Sequence, residues 1–224
     1  MDRIESLPLF PLSDVVLLPE VSIPLTLFEP RYRQMIRDVL AGAHQIGMVT
    51  VRPDAITQMA GDPPIFDIGC LGRVAHAQEQ ADGTFQILLA GSNRFRILQE
   101  ENRSGQRLYR SARVELLSDE IPTSPQAIEK LEQKRSELLE RLERLVRNLG
   151  RTGAEAPAIA AFERLDPTRL INALTQSLAL RPVERQRLLE ANSIASRFEI
   201  MADLLRFRLA EVTVGGTGSN SLPN

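Results

Sequence analysis

Apolar and polar residues follow two different rhythms along this 224-residue chain. Up to about residue 117 the apolar residues come in short runs or alternate with polar ones, the pattern of strands. Residues 7–12, Leu-Pro-Leu-Phe-Pro-Leu, are apolar, but their prolines lack the donor a central ladder needs, so this segment is expected at a sheet edge or a strand start. Residues 15–18 follow the Ser13-Asp14 turn signal and end at Pro19; residues 21–28 are apolar again around Pro24. Glu29-Pro30 opens a helix, with proline suited to the first position. Tyr32, Met35, Ile36, Val39 and Leu40 then give it one apolar face. Residues 46–51 read as a buried strand and 52–64 as a loop. Residues 65–117 predict three long strands, turned by Asp82-Gly83 and by residues 102–105. Gly69, Gly72 and Gly91 interrupt them as bulges or bends of a small barrel would.

Beyond a linker at 118–124 the period becomes helical. Ile128, Leu131, Leu138, Leu142, Leu145 and Leu149 form a stripe, with Arg135 in the remaining slot. Glu137, Glu140 and Glu143 each precede an arginine by four residues, the favourable order. Gly150 to Gly153 break this helix. Shorter helices are expected over 156–165, 167–179 and 182–191, with a last one to about Val212. Asp166 caps the second of these, and Asn192 or Ser193 the last. The Gly/Ser/Asn-rich end, 213–224, is expected to be a disordered tail. The stripe on the long helix suits either a dimer seam or a partner within the chain; the latter is expected, because the later helices need cover for their own apolar faces.

Composition narrows the chemistry. Hydrophobic residues are 43% and charged residues 25%, ordinary for a globular protein. The net charge of −2 provides no general field for nucleic acid or an acidic membrane. Lysine occurs only at Lys130 and Lys134, neither after a Gly-rich run, so a Walker-type phosphate loop is absent. Ser136 and Lys134 point to different faces of a helix, and no nucleophile-elbow motif occurs. The soft metal ligands are His44, His76 and Cys70. The last two are about 20 Å apart in an extended strand, so neither a metal nor another cofactor is expected, and Cys70 reads as a small core residue. No signal peptide or membrane-spanning run is readable at the start of the chain, which makes the cytoplasm the default location. In Gly91-Ser-Asn-Arg94-Phe-Arg-Ile97, strand alternation sets Arg94 and Arg96 on one face, either as a solvated surface or as an anchor for a ligand's backbone or carboxylate. Residues 15–23 read either as core or, if part stays exposed, as apolar contacts and free backbone groups for an extended peptide.

The ordered motifs resemble the N-terminal substrate-binding domain of Lon proteases. Leu7-Pro-Leu-Phe-Pro-Leu to Val16-Leu-Leu-Pro19, Ile23-Pro-Leu25, and Phe28-Glu-Pro-Arg31-Tyr32 carry the resemblance at the start. Gly69-Cys-Leu-Gly72-Arg-Val74 and Gly91-Ser-Asn-Arg94-Phe-Arg-Ile97 continue it. Leu165-Asp-Pro-Thr-Arg-Leu170, Leu178-Ala-Leu180, Glu184-Arg-Gln-Arg-Leu-Leu-Glu190 and Arg197 complete it. The resemblance implies an α+β fold: an N-terminal PUA-like β pseudo-barrel over 1–118, then a C-terminal α-helical bundle over 119–212 with one long helix. It implies a stand-alone, non-catalytic module that recognises exposed segments of unfolded or damaged proteins, with a protease or chaperone as a further partner. Leu17, Leu18, Pro19, Val21 and Ile23 are the expected apolar contacts, and Arg31 and Arg94 the polar anchors. Two other readings are an RNA-binding PUA-like module and a hydrolase using paired carboxylates.

Overall fold

The alternating first half forms six strands and a helix: β1 (Arg3–Leu12), β2 (Ser22–Leu27), α1 (Pro30–Leu40), β3 (Gln45–Thr50), β4 (Ile68–Glu79), β5 (Phe85–Glu100) and β6 (Arg110–Leu117). The remainder is helical: α2 (Pro125–Asn148), α3 (Pro167–Ser177), α4 (Pro182–Glu190) and α5 (Ile194–Gly216). The fold is therefore α+β. This computed structural model describes residues 2–59, 61–102, 105–148 and 161–216. The break at 150–153, most of the helix expected over 156–165 and the tail beyond 216 lie outside those residues.

The strands form one mixed sheet in the order β2-β5-β4-β3-β1-β6, and β6 pairs in addition with the far half of β5. The ladders β5–β4–β3–β1–β6–β5 thus close on themselves, and β2 hangs from β5 alone among the described strands. β1 is not the edge expected from its prolines; it lies between β3 and β6. Its ladder with β6 covers Arg3 to Leu9 and its ladder with β3 covers Leu9 to Leu12, so they share only Leu9. Each half of β1 has one unpaired side, which is where a residue without an N–H is accommodated. Residues 15–18 are irregular rather than a strand, and the 52–64 loop contains a 3-10 turn, Pro53–Gln58.

Two apolar clusters fill this region. Phe10, Leu17, Leu18, Met35, Ile36 and Leu89 belong to one, and Leu7, Leu9, Phe95 and Val114 to the other. The period-2 alternation of β1 sorts its side chains between them. Helix α1 buries Tyr32, Met35, Ile36 and Val39, the stripe its sequence predicts, and the Tyr32 ring meets Phe10 edge-on at 4.5 Å.

The chain divides into two compact units, Met1–Ser118 with Leu178–Glu190, and Asp119–Ser177 with Ala191–Asn224. The sequence expectation put 178–190 among the helices of the second part; its contacts are with the strands. Thr50 Oγ1 donates to Gln186 Oε1 (2.8 Å), and Gln186 Nε2 donates to the Ile68 carbonyl (3.0 Å). Leu188 and Leu189 are buried beside them. Glu184 closes the first turn of α4 by accepting the backbone N–H of Arg181 (2.7 Å), the reciprocal half of a capping box.

In the second unit α2 and α5 run in the same direction. Glu120 bridges Ser193 just before the two helices start, and farther along Lys134 pairs with Glu199. The buried Arg197 grips both carboxylate oxygens of Asp119 at 2.8 and 2.6 Å, a bidentate, charge-assisted contact. Leu131, Leu138, Leu142 and Leu145 are buried as the stripe predicts, whereas Ile128 is exposed. Arg135, the charged residue in that stripe, gives its guanidinium to the carbonyls of Glu163 and Leu165. The expected single long helix has a companion: α2 has 24 residues and α5 has 23. Helix α5 passes Val212 because no breaker occurs before Gly215-Gly216. Ser193 rather than Asn192 caps it, accepting the Ser196 N–H at 3.1 Å.

Candidate functional site at a sheet edge and its supporting turn

Two motifs that are 70 residues apart in sequence meet in space. After β1 the chain drops Val16, Leu17 and Leu18 into the core, then turns at Pro19-Glu20. Glu20 has φ 62, a left-handed conformation uncommon outside glycine. Its N–H donates to the Gly91 carbonyl (3.0 Å), and the Gly91 N–H donates to the Val21 carbonyl (2.8 Å). A Cβ at residue 91 would stand 2.1 Å from the Leu18 carbonyl oxygen. The glycine that opens the Gly-x-x-Arg-Phe motif is there because the turn's backbone occupies the side-chain space. Gly69 serves a similar end, since a Cβ there would meet the Phe95 ring at 2.5 Å.

The turn delivers the chain into β2. Val21, Ile23 and Leu25 are half-buried against the core, while Ser22, Pro24, Thr26 and Phe28 face solvent. Phe28 is 65% exposed. The cross-strand row His76–Leu88–Pro24 continues that solvent face across β4, β5 and β2, with Leu88 also exposed.

The residues singled out from sequence have separate roles here. Pro19, Val21 and Ile23 lie at the surface of this edge. Leu17 and Leu18 do not; they are 1% and 3% exposed and support the turn from beneath, because a two-residue turn on Gly91 needs an anchored approach. Arg94 is also not an accessible anchor. It is 2% exposed and donates to the Leu189 carbonyl at 3.1 Å, because α4 lies over that face of β5. Arg31 is mostly engaged by the protein: it donates to the carbonyls of Met59 (2.8 Å) and Gly61 (2.9 Å), pairs with Glu29, and lies 4.8 Å from the Tyr32 ring centre. The void beside Arg31, Tyr32, Met59 and Tyr109 is about 10 Å³, room for no more than one water. Burial raises the Tyr32 hydroxyl above its usual range, with the Arg31 charge opposing.

Two larger hollows are open grooves. One, about 400 Å³, follows α1 past Arg33, Gln34, Arg37, Asp38 and Leu108; Asp38 is its sole carboxylate, so it offers no acid–base pair. The other, about 360 Å³ between α2 and α5, holds Glu137, Glu199 and Asp203 interleaved with Lys134, Arg141 and Arg206. Cys70 is buried in β4 and His76 exposed. Among the described residues, no group of three or more His, Cys, Asp or Glu could hold a metal ion, and no helix is long and apolar enough to cross a membrane.

The family model described as the ATP-dependent protease La (LON) substrate-binding domain matches residues 6–206. The chain belongs to this family. Lon protease 2 of Syntrophobacter fumaroxidans is 29% identical over 196 residues, 83% of this chain and 22% of that protein. Lon protease 2 of Desulfotalea psychrophila is 26% identical over 208 residues, 92% of this chain and 26% of that protein. The chain thus spans about a quarter of the length of these relatives. Two solved structures share the fold. The Lon N-terminal domain protein from Xanthomonas campestris gives a TM-score of 0.61 at 24% identity, over 91% of this chain and 99% of that one. The N-terminal domain of the Mycobacterium avium complex Lon protease gives 0.69 at 18%, over 90% and 98%. The matched region is a substrate-binding domain.

Proposed function

We propose that this Lon-type domain recognises exposed segments of unfolded or damaged proteins and delivers them to an ATP-dependent protease, in the cytoplasm. The proposed architecture is a PUA-like pseudo-barrel over 1–118, for which the closed ring of ladders speaks, followed by the helical part over 119–212, of which Leu178–Glu190 groups with the strands. The observation that carries the proposal is the edge itself. Pro19, Val21 and Ile23 form a half-buried apolar rim at this edge, held in place by the buried Leu17 and Leu18 and by the hydrogen bonds to Gly91. A folded protein hides its apolar stretches and its backbone donors; an unfolded one offers both.

Fluorescence anisotropy tests this with a labelled, reduced and carboxymethylated polypeptide, against the same protein in its native fold. Saturable binding of the unfolded form alone is expected. An Ile23→Thr variant should weaken it by about 5–10-fold, the loss of roughly 1 kcal/mol of apolar contact. Equal binding of both forms, or binding of neither, would sink the proposal.

A further inference from the structure

The hydrogen-bond phase of β2 says how such a segment is held. In an antiparallel pair, alternate residues direct both N–H and C=O toward the partner strand. The Gly91 N–H to Val21 carbonyl bond continues the β2–β5 register, in which Ser22 faces Ala90 and Leu27 faces Phe85. The Val21 carbonyl therefore turns to β5, its N–H being given to the Leu18 carbonyl in the turn, and Ile23, Leu25 and Leu27 turn both backbone groups to β5. Ser22, Pro24 and Thr26 turn theirs outward, to a side where no described strand pairs. Proline has no N–H and suits only the outward phase. The free edge thus offers a donor and an acceptor at Ser22, an acceptor alone at Pro24, and a donor and an acceptor at Thr26.

We infer that the client binds by adding a strand along β2, and that the preferred clients are proline-free segments of alternating polarity. This rests on the reading of the domain as a polypeptide binder and specifies its mode. An added antiparallel strand exchanges paired bonds at Ser22 and Thr26. Opposite Pro24 it gives its N–H to the proline carbonyl and leaves its own carbonyl in water. Its side chains then alternate between two unlike environments. One is the half-buried row of Ile23 and Leu25; the other is the solvent face carrying Ser22, Pro24, Thr26 and Phe28. A uniformly apolar segment would leave half of its side chains on that solvent face.

Pro24 also argues against a second copy as the occupant. Two β2 edges paired about a two-fold at Pro24 would set proline against proline, with two carbonyls and no donor at the centre. A client without proline loses only one bond there.

The test is an N-methyl scan of a nine-residue peptide alternating Ile with Thr, titrated into the full chain by anisotropy. Methylating the backbone at alternate positions should weaken binding by 10-fold or more, and at the intervening positions by less than 2-fold. A Pro24→Thr variant, which adds the missing donor, should tighten binding several-fold. Indifference to methylation, a uniform loss at every position, or failure of this peptide where the unfolded polypeptide still binds would overturn strand addition and leave the general function standing. Binding of neither would overturn both. A wild-type mass of two chains that falls to one as peptide binding appears would show the edge occupied by a second copy, and would overturn the assignment of its native occupant.

Discussion

Tyr109 donates its hydroxyl to the Asp38 carboxylate at 3.0 Å. Burial, then that hydrogen bond, then the Asp38 charge push its pKa up to about 12, with the Arg107 charge opposing. Tyr32 is displaced the same way by burial. Both folded values lie above the unfolded value of about 10, so above pH 10 the unfolded chain holds fewer protons than the folded one. The stability these groups contribute is complete below about pH 10 and is lost as the pH rises toward 12. The chain has two tyrosines and no tryptophan, so phenolate absorbance reports on this pair alone. The native protein should titrate with a component near 12, and the protein in urea near 10 for both; coincident curves would contradict the burial described. At this scale the sequence was partly legible. Cys70 sits in the core as its isolation implies. Arg94 was not legible as a buried residue, because what covers it is a helix some 95 residues later, and strand alternation reports only on local neighbours.

Helix α2 separates the two kinds of contribution an amphipathic element makes. Leu138 is fully buried, while the Glu143–Arg147 pair is more than half exposed on both sides. A Leu138→Ala change should cost about 2–5 kcal/mol, and Glu143→Gln no more than about 0.5 kcal/mol, as read by urea melting. Comparable effects would mean that the stripe does not pack as described. Element types were mostly legible, since the 3.6 and 2.0 periods are written into single segments. The place of an element in the sheet was less so. The prolines of β1 pointed to an edge, yet β1 is central, because two ladders that overlap at one residue leave each half an open side. Helix α4 carried little signal. Its buried set, Glu184, Gln186, Leu188 and Leu189, mixes polar with apolar side chains, since Gln186 is buried for its hydrogen bonds to the sheet.

On the scale of the whole molecule, neither compact unit is a single stretch of chain. The change of composition near Ser118 coincides with the end of β6, but the strands also need Leu178–Glu190. Removing everything after 118 would strip Thr50 of its Gln186 partner, take the Leu189 carbonyl from the Arg94 guanidinium, and uncover the part of the apolar cluster that Leu189 packs into. A fragment of residues 1–118 should therefore melt earlier than the full chain or aggregate, and a synthetic peptide of residues 178–192 added in trans should restore part of the loss. A fragment as stable as the intact protein would show that α4 is dispensable.

That threading has a consequence during synthesis. On the ribosome, β6 can close the ring of strands once residue 117 has emerged, but α4 is complete only at Glu190, about 70 residues later. At roughly 5–20 residues per second, the nascent sheet waits about 4–14 s with Arg94 uncapped and one apolar flank bare. Until then the sheet presents the same open flank that any unfinished chain presents.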